Sequence, residues 1–231
     1  MNGQLPLDLR LSPRFGEEDF LESPCNAQAL ALVRLWPDWP RHMLLLNGPR
    51  GSGKSHLGAI WAARAHARVV AAKNLDPASP PALAAEKALL LEDAEEAPET
   101  ELFHLINLFS EHGGALMLTA ARPPDFWGLK TPDLLSRLRR MSQAEITAPD
   151  ESFLRAMLVK LFDDRQIRVD EPTIGYLAAR IERSPATCAA LVNALDREAL
   201  ARSRAVTRAF AGEFLRANPH YGGSGEDDET H

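Results

Sequence analysis

Gly48-Pro49-Arg50-Gly51-Ser52-Gly53-Lys54-Ser55 sets a glycine, four spacer positions, a second glycine, a lysine and a hydroxyl residue in direct succession. Glycines in such a stretch take positive φ and let backbone N–H groups close around an anion. A helix beginning at Lys54 would aim its partly positive N-terminus at the same point. The spacing is that of a phosphate-binding loop, with Lys54 reaching the β and γ phosphates and the Ser55 hydroxyl ligating Mg²⁺. A Gly-rich turn with a solvated lysine is the plainer alternative. The setting argues against it, because the apolar run Met43-Leu44-Leu45-Leu46 precedes the loop and a helical pattern follows.

Three other places carry chemistry. The run Ala88-Leu89-Leu90-Leu91 ends in Glu92-Asp93, which would place two carboxylates beside the loop for Mg²⁺ and an attacking water. Glu92 stands where an aspartate usually serves the metal, and Asp93 would polarise the water. With Glu95 and Glu96 close behind, an acidic surface turn is the alternative. Thr119 ends a fourth apolar run, where its hydroxyl could sense a γ-phosphate, orient water, or simply cap the strand. Arg137 lies in Asp133-Leu134-Leu135-Ser136-Arg137-Leu138-Arg139-Arg140, apolar on one helical face and basic on another, a pattern that by itself reads as a solvated face.

The elements needed to position these groups are legible. Short continuous apolar runs at 43–46, 68–72, 88–91 and 115–118 alternate with helical patterns at 26–36, 54–66 and 99–111, and a fifth strand is expected at 143–146. Runs without polar alternation are those of strands buried on both faces of a parallel sheet. The proline-rich stretch 76–81 reads as a loop. From Asp150 the character changes to four helical patterns, at 150–163, 171–183, 185–204 and 207–218, with Asp150 an N-cap. The expected division is a leader at 1–14, an α/β base at 15–148, a helical unit at 149–218 and a mobile acidic tail at 219–231.

Composition bounds the rest. The chain has 231 residues, enough for one large domain or a medium and a small one, and its 45% apolar and 25% charged residues are ordinary for a soluble globular protein. Acidic residues outnumber basic ones by 32 to 26, which argues against gripping duplex DNA by broad phosphate neutralisation. Nucleic-acid contact is expected to be local or indirect. Cys25 and Cys188 have no metal-type spacing and read as reduced structural thiols. No apolar stretch approaches the roughly 18 to 20 residues that span a bilayer, and the polar start is no signal peptide, so a cytoplasmic protein without membrane contact is expected.

Taken together, the phosphate loop, Leu89 to Asp93, Leu118-Thr119-Ala120-Ala121-Arg122-Pro123-Pro124, Pro132 to Leu138 and the helical C-terminal unit resemble the AAA+ module of the bacterial replication initiator DnaA. Within that family the resemblance is to the Hda-type homologues that inactivate the initiator. The likeness spans roughly 15 to 217 and includes Phe20 to Leu30, with Asn26, a segment that borders the adenine in the family. It implies an AAA+ parallel-sheet sandwich with a helical lid, and bound ADP or ATP with Mg²⁺ at Gly48, Pro49, Arg50, Gly51, Ser52, Gly53, Lys54 and Ser55. It also implies a trans-acting arginine finger at Arg137.

Two departures qualify the resemblance. The family's sensor-2 arginine falls on Ala189, implying weak or no ATPase of the chain's own. The initiators' extra helices that engage single-stranded DNA have little room before Ala88. The initiator's DNA-binding domain would follow residue 218, so the chain is expected not to be a complete initiator. Gln4-Leu5-Pro6-Leu7-Asp8-Leu9 resembles the peptide by which bacterial proteins dock on the DNA polymerase III β sliding clamp, a glutamine entering a polar pocket and leucines an apolar groove. The resemblance therefore implies a negative regulator, with DnaA and the clamp as partners, DNA met only through the clamp, and homo-oligomers allowed by AAA+ stacking. An ATP-driven helicase-loader or clamp-loader-like factor and a non-catalytic replication adaptor are the alternatives.

Overall fold

A computed structural model describes residues 16–223. The expected clamp peptide, Gln4 to Leu9, and residues 224–231 lie outside them. Five parallel strands form the sheet: β1 (Met43–Asn47), β2 (Arg68–Ala71), β3 (Ala88–Glu92), β4 (Ala115–Ala120) and β5 (Ser142–Glu145), in the order β2-β3-β4-β1-β5. The helices are α1 (Ala27–Arg34), α2 (Lys54–Ala65), α3 (Ser79–Ala84), α4 (Glu99–His112), α5 (Pro132–Arg139), α6 (Glu151–Asp163), α7 (Glu171–Ala178), α8 (Pro185–Arg202) and α9 (Arg208–Ala217).

Period-two alternation divides each buried strand between two cores. Met43 and Leu45, with Leu89, Leu91, Leu116 and Leu118, face α3, α4 and α5. Leu44 and Leu46, with Leu90 and Met117, face α1, α2 and a stack of Trp39 on Trp61. Both faces are covered, which is why these strands show no polar alternation in sequence. The strand order puts β4 between β1, which leads into the phosphate loop, and β3, which carries the acidic pair. The ends of β1, β3 and β4 therefore open on one edge of the sheet, where α/β proteins bind ligands.

A third core, including Phe153, Leu158, Phe162, Leu177, Cys188, Leu191 and Phe210, unites α6 to α9. Each of these helices starts on a side-chain cap: Asp150 accepts from Phe153 N–H, Asp170 from Thr173 N–H, Ser184 from Thr187 N–H and Thr207 from Phe210 N–H.

Four features differ from the sequence expectation. The stretch read as a loop at 76–81 becomes helical at Ser79, because prolines are tolerated in a first turn and the Asp76 carboxylate accepts from the N–H groups of Ala78 and Ser79, each at 2.9 Å. The second lid helix pattern, read to 183, ends at Ala178, and Ile181 instead pairs with Gly222 in an antiparallel bridge. That bridge corrects the start of the expected mobile tail. Pro219–Tyr221 form a 3-10 turn, and Tyr221 packs on Phe214 with ring centroids 5.9 Å apart. Finally, the N-terminal segment assigned to the base serves both units, since Phe20 packs on the α1–α2 core whereas Leu21 and Cys25 pack on the lid core.

Candidate functional site

The loop after β1 has the shape its glycines anticipate. Gly51 and Gly53 sit at φ +73° and +105°. A Cβ on Gly48 would come within 2.7 Å of the Ile146 carbonyl oxygen. These are the conditions under which only glycine keeps a loop backbone curled. α2 begins at Lys54 without a side-chain cap, so its first N–H groups face the loop's concavity. Ser52 is buried, and its hydroxyl has no hydrogen-bond partner among the described residues.

Lys54 is only 7% exposed and donates from Nζ to the carbonyl oxygens of Gly48 at 2.7 Å and Pro49 at 2.9 Å. Burial pulls its pKa below the ordinary lysine value. The carboxylates of Asp93 and Glu95 oppose that fall, and the Arg50 guanidinium adds to it. A cation so placed has two weak neutral acceptors and stands to gain from a phosphate. Uncapped N–H groups, an unpartnered Ser52 hydroxyl and a desolvated lysine together fit the phosphates of a nucleotide. Pro49, Arg50 and Ser55 are exposed at the loop's rim, and Arg50 reaches Glu96 at 3.2 Å.

The acidic turn beyond β3 lies close enough to act electrostatically on Lys54. Glu92 is half-buried at the strand end, and Asp93 is exposed in the left-handed region at φ +54°. Thr119 is 1% exposed, and its hydroxyl oxygen accepts from Asp93 N–H at 3.1 Å, tying the end of β4 to that turn; its proton remains available to donate. Among the described residues no three His, Cys, Asp or Glu side chains converge on a metal position. Were Mg²⁺ to bind with a nucleotide, Ser55 and a carboxylate of this turn would be the residues to hold it.

Two contacts at the site escaped the sequence reading. Glu95 accepts from Ala121 N–H at 2.6 Å through one carboxylate oxygen, while its other oxygen is buried without a partner. Ser184 joins the lid to the phosphate loop. Its hydroxyl donates to the Gly51 carbonyl at 3.3 Å, and Ala186 N–H approaches the same oxygen at 3.4 Å. Ser184-Pro185 is recognisable as a helix start. Its partner, distant in sequence, is not. Ala189 follows on α8, half-buried, and offers no charge to the loop.

Arg137 is not at this site. It lies on α5 and lines a small pocket with Arg41, Arg140 and Met43, the first residue of β1. The phosphate loop follows Asn47, the last residue of the same strand, so about 13 Å of strand separates the two ends at ~3.3 Å per residue. The guanidinium is held by Asp133, from Nε at 3.2 Å, and lies over the Phe103 ring with 5.3 Å to its centroid. Its two terminal nitrogens make no hydrogen bond among the described residues. Asp125 and Arg139 form an ion pair that ties the Pro-Pro turn to α5.

No known family model matches the chain. Among solved structures it is similar to domain III of the Thermotoga maritima replication initiation protein DnaA, with a TM-score of 0.75 at 18% identity over 89% of this chain and 97% of that one. It is also similar to a replication initiator DnaA bound to AMPPCP and single-stranded DNA, with a TM-score of 0.69 at 18% identity over 84% and 69% of the two chains. Thermotoga maritima RuvB, as a K64R mutant, matches with a TM-score of 0.65 at 14% identity over 76% and 61%. The chain has the fold of DnaA domain III. At these identities the likeness establishes architecture alone. Among the described residues no helix is long and apolar enough to cross a membrane.

Proposed function

We propose that this chain is an Hda-type negative regulator of replication initiation, which uses Arg137 to stimulate hydrolysis of ATP held by DnaA. The observation that carries the reading is the placement of Arg137 at the opposite end of β1 from the chain's own phosphate loop, with its terminal nitrogens uncommitted. An arginine so placed cannot serve nucleotide in its own loop. That position supports a role toward nucleotide held by a neighbour. A guanidinium offers a planar fork of donors to phosphoryl oxygens and keeps its charge at any relevant pH. Trans-acting arginines supply roughly 10³ to 10⁵ in rate by stabilising charge on the transferring group.

In this reading Gly48 to Ser55 hold ADP or ATP with Mg²⁺, assisted by Glu92, Asp93 and Thr119, and the bound nucleotide orders the surface that meets DnaA. Ala189 leaves the lid without a cation for a γ-phosphate, which favours ADP and weak or no turnover in cis. Gln4, Leu5, Pro6, Leu7, Asp8 and Leu9 dock on the β sliding clamp, so DNA is met through the clamp. The test is an assay of DnaA-ATP hydrolysis with DNA-loaded clamp, comparing the wild type with Arg137→Ala and Gln4→Ala. Loss of stimulation in both variants supports the reading. Full stimulation by Arg137→Ala would support the non-catalytic adaptor instead, and robust ATPase by the isolated chain would support a motor-like loader.

A further inference from the structure

Arg155, Arg180 and Arg208 line an open groove of about 400 Å³ on the lid, with Tyr176 at its centre and Glu171 as the one carboxylate in its wall. The guanidinium of Arg180 lies 4.2 Å from the Tyr176 ring centroid and that of Arg208 5.4 Å. Arg155 is engaged by Glu151 and Glu171. Arg180 and Arg208 form no ion pair among the described residues, and Arg180 donates only to the Tyr176 carbonyl oxygen, at 3.4 Å. Asp170, on which Arg208 acts electrostatically, is already held by Thr173 N–H as the cap of α7. On a chain of net charge −6 this lining carries three arginines against one carboxylate.

The described chain ends beside this groove. Gly222 bridges to Ile181, and Gly223 N–H donates to the carbonyl oxygen of Arg180 itself at 3.0 Å. The sequence continues Ser224-Gly225-Glu226-Asp227-Asp228-Glu229, outside the described residues. An extended chain spans at most about 3.5 Å per residue, so Glu226 lies within about 10 Å of Gly223 and Glu229 within about 20 Å. Arg180, one wall of the groove, is the residue whose carbonyl oxygen Gly223 N–H meets. We infer that the acidic segment Glu226 to Glu229 of this chain is the groove's occupant, its carboxylates pairing with Arg180 and Arg208 across Tyr176.

The physical case rests on charge and tether. Carboxylates suit the guanidinium fork in bidentate pairs. A short linker holds the segment at an effective concentration on the order of millimolar, so contacts that are weak individually fill the groove for a substantial fraction of the time. The contact would screen with salt, and it would bar other polyanions from these arginines. The inference stands on the lid's charges and on the exit of the chain, and it does not depend on the proposed function.

The test is arginine modification by phenylglyoxal, read residue by residue by mass spectrometry. It compares the full-length wild type with a full-length E226Q/D227N/D228N/E229Q variant. In low salt Arg180 and Arg208 are expected to react about three-fold or more slowly in the wild type, as a tethered occupant requires. Arg64, exposed on α2, should react alike in both. Salt at about 0.5 M should remove the difference. Equal low-salt rates at Arg180 and Arg208 in the two chains would overturn the inference, and so would protection that persists after neutralisation, since it would mean another occupant.

Discussion

Gly51→Ala asks whether the phosphate loop and the lid behave as one unit. Gly51 lies at φ +73°, and an added Cβ would stand 2.3 Å from Ser184 Oγ and 3.3 Å from Ala186 Cβ. The left-handed conformation costs a non-glycine residue about 1 to 2 kcal/mol. The close contact must also be relieved by moving Ser184, a residue 5% exposed that donates to Gly51 and caps α8 through Thr187 N–H. Losing that cap costs about 1 kcal/mol more, for a total of about 2 to 3 kcal/mol. Ser184→Ala alone loses the cap but removes the oxygen that the new methyl would strike. In that background Gly51→Ala should cost only its backbone strain, leaving a coupling of about 1 kcal/mol between the two sites. Urea unfolding of the four chains, read as midpoint and slope, measures the cycle. If Gly51→Ala costs the same with and without the Ser184 hydroxyl, the contact between loop and lid does not matter and the reasoning fails.

Other predictions follow from the site and the cores. Lys54→Ala should weaken ADP binding by roughly 10- to 100-fold, the worth of a charge-assisted hydrogen bond of about 1.5 to 3 kcal/mol, and titration with a fluorescent ADP analogue would reveal it. Cys188 is fully buried, and burial pushes its thiol up from 9.0 to about 12. The folded chain therefore keeps this proton between those values while the unfolded chain loses it. Stability must then fall with rising pH above about 9, by about 1.4 kcal/mol per pH unit from this group. The slope should be shallower by that amount in Cys188→Ala, and an unchanged slope between the two chains would contradict the assignment. Phe103→Leu removes the ring beneath Arg137 and, at about 0.5 to 1 kcal/mol for an exposed cation–π contact, should lower the stimulation of DnaA-ATP hydrolysis by about two- to five-fold.

The fold was largely legible because its signals are local. Strands β1, β3 and β4 announce themselves as uninterrupted apolar runs, and the lid helices by capping residues ahead of apolar stripes. Proline misled at Pro80 and Pro81, where position in a first turn matters more than residue type. It was long-range closeness that stayed hidden. Nothing near Ser184 in sequence points to Gly51, and nothing in Glu92 to Glu96 shows which carboxylate reaches Ala121 N–H. The curl of the loop was readable because its glycine spacing calls for positive φ, which Gly51 and Gly53 adopt. The separation of Arg137 from that loop emerges only once β1 is seen to hold one at each end. The basic groove was unreadable for the same reason, since its arginines come from α6, from α9 and from the residues just after α7.

Stimulation of DnaA-bound ATP hydrolysis in the presence of DNA-loaded clamp, measured for Arg137→Ala beside the wild type at matched nucleotide occupancy, tests the central claim most directly. The account predicts that the wild type accelerates hydrolysis and that the variant, still folded and still binding ADP, does not. A variant that stimulates as well as the wild type would show that this arginine carries no part of the activity.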